Sequence, residues 1–468
     1  MKTKPFAFQI EDVQRAVKAY KGRAILAWEP GLGKTLASLL FALRYPEARP
    51  VVVVCPASLK WMWENQAKHH LGLRVEVLEG TRPPREGLLR NRDFIVVNYD
   101  ILARRRGPGA GPGWLDHLLN LKPGIIILDE GQLACQPSAQ RSKAVKELCK
   151  TAEQVLILSG TPLTNRPIEL WHLLHMVKPS LFPSRFAFAH KFCKPRRTPW
   201  GWDFSGASNL DELHGILTHP KTGCLIRRRK DEVMDQLPPK RRTVIPLDLK
   251  NRREYQKAVT DFLGWLTETS PTKARKAAKA EAITRLGELK RLAATGKLPA
   301  VFDWIDDHLA GTDEKLIVFG VHRKILQAIM ERYGKLAVLV DGSVTGRKRQ
   351  LAVDTFLKDK RVRMFVGNIK AAGTGWSAPG VSTTAFIELP WSPGDVLQAE
   401  DRTHGIARGK TGTASHAVYL LARGTVELPL LELITRKQKN LNQVLDGGKG
   451  EDLDIIDELT KRLLKENK

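Results

Sequence analysis

Short apolar runs alternate with longer stretches of helical spacing along most of the chain. Ala24–Trp28, Val51–Cys55, Phe94–Asn98, Ile125–Asp129 and Val155–Ser159 are almost continuously apolar. That is the pattern of strands covered on both faces rather than on one. A second set follows at Leu316–Phe319, Ala337–Val340, Met364–Gly367, Ala385–Glu388 and Ala417–Leu421. Strands separated by helical stretches predict an α/β fold with two mostly parallel sheets flanked by helices. Residues 179–250, rich in Pro, Arg and Trp, predict irregular structure ending in a crossover. Residues 251–298 predict helix, with Ile283, Leu286, Leu289 and Leu292 at helical spacing among basic residues. Gly107–Gly113, after Arg104, Arg105 and Arg106, predicts an exposed basic loop. Gly447–Asp452 predicts a linker to a final amphipathic helix carrying Leu453, Ile456 and Leu463.

Composition narrows the class. Of 468 residues, 42% are hydrophobic, enough to build large cores, which excludes global disorder. No apolar run approaches the ~18–20 residues of a membrane span, so no membrane partner is expected. The start, MKTKPFAFQIED, lacks a signal-peptide core. An intracellular protein is expected, cytoplasmic in a bacterium or phage-infected cell and nuclear in a eukaryote. The five cysteines form no CxxC pair, which argues against zinc and disulfides. Charge changes the picture most: 76 Lys and Arg against 50 Asp and Glu give a net +26. The excess is +15 over residues 1–200 and +11 over 201–468, so it is no tail. Basicity spread in this way points to a polyanionic partner, nucleic acid first.

The candidate chemistry begins at AILAWEPGLGKTLASLLFAL, a strand, a glycine turn and a helix start. Gly31 and Gly33 let the backbone around Leu32 wrap phosphate oxygens, and the amides opening the helix point at them. Lys34 is placed to neutralise the β and γ phosphates of ATP, and the Thr35 hydroxyl to ligate Mg2+. Asp129 and Glu130 follow Lys34 by 95 and 96 residues, at the end of an apolar strand. Such a pair divides the work. Asp129 holds Mg2+, and Glu130 orients and deprotonates the attacking water.

The ordered blocks resemble the two-lobed helicase superfamily two, specifically its Swi/Snf-type DNA translocases, from Phe8 to about Gly447. Phe8-Gln9 resembles the adenine-reading Q motif. Val51–Gln66 is similar to motif Ia, Phe94–Asp100 to Ib, Leu158–Leu174 to III and Leu225–Lys240 to the crossover between lobes. Leu316–Leu326 resembles motif IV, Ala371–Gly380 motif V and Trp391–Arg402 motif VI. The wording of Pro199–Asn209, of NRPIEL after motif III and of AAGTGWS in motif V is similar to the annealing-helicase, HARP-type members.

The resemblance implies two RecA-like lobes, lobe 1 at 1–240 and lobe 2 at 241–447 with a helical insertion at about 251–298, then a linker and helix at 448–468. It implies a DNA-dependent ATPase that couples hydrolysis to movement on, or remodelling of, double-stranded or forked DNA. ATP and Mg2+ are the implied cofactors. A monomer, with room for an unidentified protein partner, is expected. Gln9 is implied to read adenine, Gly375 to join the ATP site, and Ser159 and Thr161 to couple that site to lobe movement. Arg402 is implied as an arginine finger on the γ-phosphate, positioned with Gln398. Lys60, Asn98 and Arg323 are implied to face nucleic acid, with the Arg104–Arg106 loop and Arg227–Lys230 as further basic candidates. Trp61, Trp63, Trp200 and Trp202 either stack on bases or pack in the core. The chain departs from the family pattern at Trp28, where Asp is usual, at Gln132, where His is usual, and at Gly405, where a second arginine is usual, with Arg408 nearby. Two other readings stay open. One is an RNA helicase of the same superfamily. The other is a weakly hydrolysing ATP-dependent DNA clamp, motivated by Gly405.

Overall fold

The computed structural model describes residues 2–81, 83, 89, 91–102, 112–160, 162, 166–198, 201–233, 240–268, 275–344, 346–373, 375–378, 380–404, 414–446 and 453–466. The chain divides into two compact units. The first takes Met1–Asp235, Thr345–Arg347 and Asn440–Asp452, and the second takes Gln236–Val344, Lys348–Lys439 and Leu453–Lys468. Thr161, Trp200, Gly405, Arg408, the Arg104–Arg106 loop and the 447–452 linker lie outside the described residues.

The first unit carries β1 (Arg23–Trp28), β2 (Val51–Cys55), β3 (Val75–Val77), β4 (Phe94–Asn98), β5 (Ile125–Asp129), β6 (Gln154–Leu158), β7 (Arg196–Thr198), β8 (Gly201–Asp203) and β9 (Leu225–Arg228). Seven of them form one parallel sheet in the order β3-β4-β2-β5-β6-β1-β9. β2, β4 and β5 are buried along their whole length, as their continuous Val and Ile runs require. β7 and β8 pair antiparallel in a hairpin outside that sheet. Arg23 fixes the helix ends beneath β1. Its guanidinium donates to the carbonyls of Cys149, Ala152, Glu153, Met176 and Val177, gathering the C-termini of helices Gln140–Thr151 and Leu170–Val177.

The second unit carries β10 (Lys240–Leu247), β11 (Leu316–Gly320), β12 (Ala337–Val340), β13 (Met364–Asn368), β14 (Thr383–Phe386) and β15 (Ser415–Ala422). All are parallel, in the order β10-β15-β14-β11-β13-β12. Pro246 is tolerated in β10 because that strand lies at the sheet edge.

Several expectations need correction. Residues 179–250 are not irregular: they hold helices Arg185–Phe192 and Leu210–Thr218, the β7–β8 hairpin, β9 and all of β10. The Ser184 hydroxyl accepts from the Ala187 amide and so starts the first of these helices. The helical stretch does not stop at 298; helix Arg275–Gly311 runs through Pro299. On it Leu286, Leu289 and Leu292 are buried, whereas Ile283 faces solvent. β14 sits two residues earlier than expected, which leaves Glu388 beyond its end. There its Oε2 accepts from the amides of Val321 and His322 at 2.7 and 2.8 Å. The final helix, Ile455–Glu466, buries Ile456 and Leu463 in the core of the second unit; Leu453 is buried there too but precedes the helix rather than lying on it. All five cysteines are free thiols, and burial pushes Cys149, Cys193 and Cys224 to about 12, which removes thiolate chemistry. No helix among the described residues is long and apolar enough to cross a membrane.

Candidate active site

β1 ends at Trp28 and the chain turns through Gly31 and Gly33, at φ +87° and +77°, into helix Lys34–Ala42. Both values lie in the left-handed region that glycine enters without penalty. The Lys34 Nζ donates to the Trp28 carbonyl at 2.9 Å and the Glu29 carbonyl at 3.4 Å. The ammonium is thereby held over the loop it would serve. Gly160 faces it from the end of β6, where a Cβ would stand 3.5 Å from Nζ and 2.9 Å from Pro30 Cγ. A glycine there keeps the cradle open to a phosphate. Gln9 is almost fully buried on the first helix, Ala7–Lys18. Its Nε2 donates to the Leu32 carbonyl at 2.9 Å, and its Oε1 accepts from the Phe6 amide at 3.0 Å. The expected adenine reader thus ties its helix to the phosphate loop. Trp28, the departure from the family pattern, is fully buried and takes the Phe8 ring edge-on at 5.4 Å.

β5 delivers Asp129 and Glu130 beside that loop. The Asp129 Oδ2 accepts from the Trp63 indole at 2.8 Å, its Oδ1 from the Glu130 amide at 3.0 Å, and its carbonyl from the Tyr99 hydroxyl at 2.8 Å. Burial, and then the Glu130 charge, raise Asp129 to about 7, against the pull of the Trp63 bond and of Lys34. A buried carboxylate fixed by an indole and an amide and raised in this way suits a site built around a cation. Glu130 itself sits at φ 51°, ψ 52°, a costly conformation for a side-chain-bearing residue. Its Oε2 accepts from Gln132 Nε2 at 2.6 Å, and Gln132 Oε1 accepts from the Ser159 hydroxyl at 2.7 Å. Gln132 therefore links the Glu130 carboxylate to Ser159 of motif III.

In the second unit helix Pro393–Glu400 carries Gln398, buried, and leads to Arg402. The Arg402 Nε donates to the Gln398 carbonyl at 2.8 Å, and Nη1 donates to the Trp376 carbonyl. Gly375, beside Trp376, takes φ +79°. Glu400 and Asp401 are pinned to β10. Lys240 Nζ donates to Glu400 at 3.0 Å and Asp401 at 2.9 Å, Arg242 donates to both Glu400 oxygens at 2.7 and 2.8 Å, and the Tyr419 hydroxyl adds a bond at 2.6 Å. Burial alone would raise Glu400, but Lys240, Arg242 and Tyr419 outweigh it and hold the carboxyl at about 2. An unfolded Glu titrates near ~4.3. The stabilisation is therefore complete above that pH and is lost as pH falls towards 2. Glu400→Gln is expected to remove this acid dependence and to cost on the order of 3 kcal/mol at neutral pH, because two cations lose a buried counter-charge. Urea unfolding of both forms at pH 7 and at pH 3 checks it; equal stability at pH 7 would contradict it.

Residues 8–295 match the SNF2-related domain, and residues 298–407 match the helicase conserved C-terminal domain. The chain belongs to the SNF2-related family. It is similar to the SWI/SNF-related matrix-associated actin-dependent regulator of chromatin subfamily A-like protein 1 of Xenopus tropicalis, 32% identical over 454 residues, covering 93% of this chain and 44% of that protein. It is also similar to the DNA annealing helicase and endonuclease ZRANB3 of Bos taurus, 30% identical over 471 residues, covering 96% and 41%. The chain thus spans less than half the length of these relatives. A solved Sulfolobus solfataricus SWI2/SNF2 ATPase core in complex with dsDNA aligns over 99% of this chain and 97% of its own, at 22% identity and a TM-score of 0.44.

Within this SNF2-related chain the residues expected to face nucleic acid divide. Lys60 is buried and its Nζ donates to the Leu78 carbonyl at 2.6 Å; Asn98, at the end of β4, is buried as well. The Lys60 amine is thus taken up by a backbone carbonyl in this structure, while Asn98 stays a candidate for nucleic-acid contact. Arg323 is exposed and pairs with Asp341 at 3.2 Å. The Arg227–Lys230 run is structural rather than solvated. Arg227 donates to the Ala27 carbonyl, Arg228 clasps Asp12 at 2.7 and 2.9 Å, and the Lys230 amide donates to Glu29. Trp63 serves Asp129 from the core, whereas Trp202 is exposed. Sequence reasoning missed the Lys240–Arg242 clamp. Lys240 and Arg242, at i and i+2 of a strand, share a face, but the acids that meet them lie about 160 residues on and left no local signal.

Proposed function

We propose that this SNF2-related chain is a DNA-dependent ATPase that couples ATP hydrolysis to movement on, or remodelling of, duplex or branched DNA. The observation that carries the reading is the hydrogen-bonded chain Glu130–Gln132–Ser159 beside the Gly31–Lys34 loop. Lys34 and the helix-opening amides would hold the phosphates, and the left-handed turn at Glu130 would aim its carboxylate at the attacking water, taking its proton. Gln132 fixes that carboxylate and reports its state to Ser159 in motif III. Thr35 and Asp129 would hold Mg2+, which when bound neutralises charge on the β and γ oxygens. Arg402 is assigned the charge that stabilises the transferring phosphoryl group. The family match, the net charge of +26 and the DNA named for the annealing-helicase relative support DNA over RNA.

The test is phosphate release without nucleic acid and with duplex, forked and single-stranded DNA and RNA. Duplex or forked DNA is expected to stimulate most. Stimulation by RNA alone would favour the RNA-helicase reading, and tight binding without turnover the clamp. DNA affinity is expected to depend little on sequence and to fall steeply with salt. About 6–10 phosphate contacts would lose ~10³–10⁵ in affinity between 50 and 200 mM salt. A flat salt titration would overturn backbone tracking.

A further inference from the structure

Helix Arg185–Phe192 is aromatic on two faces. Phe188 and Phe192 point into the core of the first unit, while Phe186, on the other side, is 57% exposed. A surface helix normally turns a polar face outward. Here the outward face is extended by the β7–β8 hairpin. Trp202 of β8, 46% exposed, meets the His190 ring at 4.6 Å and lies nearly parallel to Phe204, 16° between planes at 6.3 Å. Phe204 in turn takes Phe186 edge-on at 5.9 Å and packs on the core below. The hairpin belongs to neither large sheet, so this aromatic cluster is not explained by closing one.

Its charge is basic. Arg196 and Arg197 of β7 are both exposed. The one acid of the hairpin, Asp203, lies 3.7 Å from Arg196 and also feels the charge of Arg166. It is thus neutralised from two sides, and the surface keeps a net positive charge. Exposed rings among arginines fit an anionic strand whose bases present a free π-face. Duplex bases are stacked on one another and offer no such face along the helix. An unpaired base at a fork, gap or end does. A protein partner would call for a broad apolar patch rather than two rings bordered by guanidinium groups.

We propose that Trp202 and Phe186, with Arg197 opposite Trp202 in the hairpin register, form a stacking platform for unpaired bases of branched DNA. The proposal rests on the DNA-dependent reading above and assigns it a contact surface for the unpaired strand. Trp202 contacts protein on one side and is half exposed, so its replacement leaves the core untouched. The experiment compares affinity for a fork with unpaired arms and for a blunt duplex of equal length. The unmodified chain, Trp202→Ala and Trp202→Phe are measured at fixed salt. Trp202→Ala is expected to lose about ten- to a hundredfold on the fork, the scale of one base–aromatic stack, and nothing on the blunt duplex. Trp202→Phe is expected to keep most fork affinity. Arg197→Gln is expected to lower the salt slope on the fork by about one. Equal fork binding by Trp202→Ala and the unmodified chain overturns the proposal, as does an equal loss on fork and duplex. Intact blunt-duplex binding and duplex-stimulated hydrolysis in those cases would leave the ATPase reading standing. Failure of the unmodified chain to bind either DNA would sink both.

Discussion

Glu130→Gln is expected to bind ATP as the unmodified chain does and to hydrolyse it about 10²–10⁴-fold more slowly, the usual worth of a placed general base. The replacement keeps the volume and one carbonyl oxygen, so the bond to Gln132 Nε2, now 2.6 Å, can persist and the left-handed turn at residue 130 stays held. Only the ability to take a proton is lost. Lys34→Ala is expected to differ in kind. The Lys34 ammonium rests on the Trp28 and Glu29 carbonyls, which leaves it within a short swing of a phosphate in the Gly31–Gly33 turn. Without it those carbonyls face phosphate charge uncompensated, and binding and turnover fall together. Titration with a fluorescent ATP analogue alongside phosphate release separates the two variants. Hydrolysis by Glu130→Gln at the unmodified rate would remove Glu130 from the role of base.

The phosphate loop was legible because its signal is local. A strand, two glycines, a lysine and a helix start lie within about a dozen residues, and backbone sterics dictate the turn. The buried strands β2, β4 and β5 were legible for the same reason, since continuous Val and Ile runs admit few other structures. β9 and β10 were not, because LIRR and KRRTVIPL carry charges that read as solvated. Their neutralising partners come from far along the chain: Asp12 lies 216 residues before Arg228, and Glu400 lies 158 residues after Arg242. No local pattern encodes such a pair. Lys60 shows the complementary case: the resemblance implied a residue facing nucleic acid, and nothing local in the sequence shows the carbonyl that takes its amine. The Leu78 carbonyl beside it satisfies the amine inside the protein, and burial lowers its pKa. Trp63 was ambiguous in sequence because the carboxylate that fixes it is 66 residues away.

Arg402→Ala is expected to lower turnover by about 10³–10⁵, the usual worth of an arginine finger, with ATP affinity changed only a few-fold. Arg408→Ala is expected to be milder. The argument is one of placement. Glu400 and Asp401, the two residues before Arg402, are clamped by Lys240 and Arg242, and the Arg402 carbonyl accepts from the Ala378 amide at 2.8 Å. The Cα of Arg402 is thus fixed from both sides. A finger must be presented at a defined point, and the backbone of Arg402 is held at one. Arg349 is buried near it, and burial, then the Arg402 charge, lower Arg349 to about 10. Two guanidinium groups close together raise the local positive potential, which favours a transferring phosphoryl group over neutral ligands. Because the Arg402 side chain also ties the Trp376 and Gln398 carbonyls, alanine could act by loosening motif V instead. Arg402→Lys separates these effects: it keeps the charge and loses the planar fork, and partial recovery of turnover is expected if charge is what matters. Single-turnover hydrolysis with saturating duplex DNA, run beside thermal unfolding of each variant, measures both. A larger loss in Arg408→Ala than in Arg402→Ala, at equal stability, would show that the chain without an arginine at 405 has moved its finger to 408.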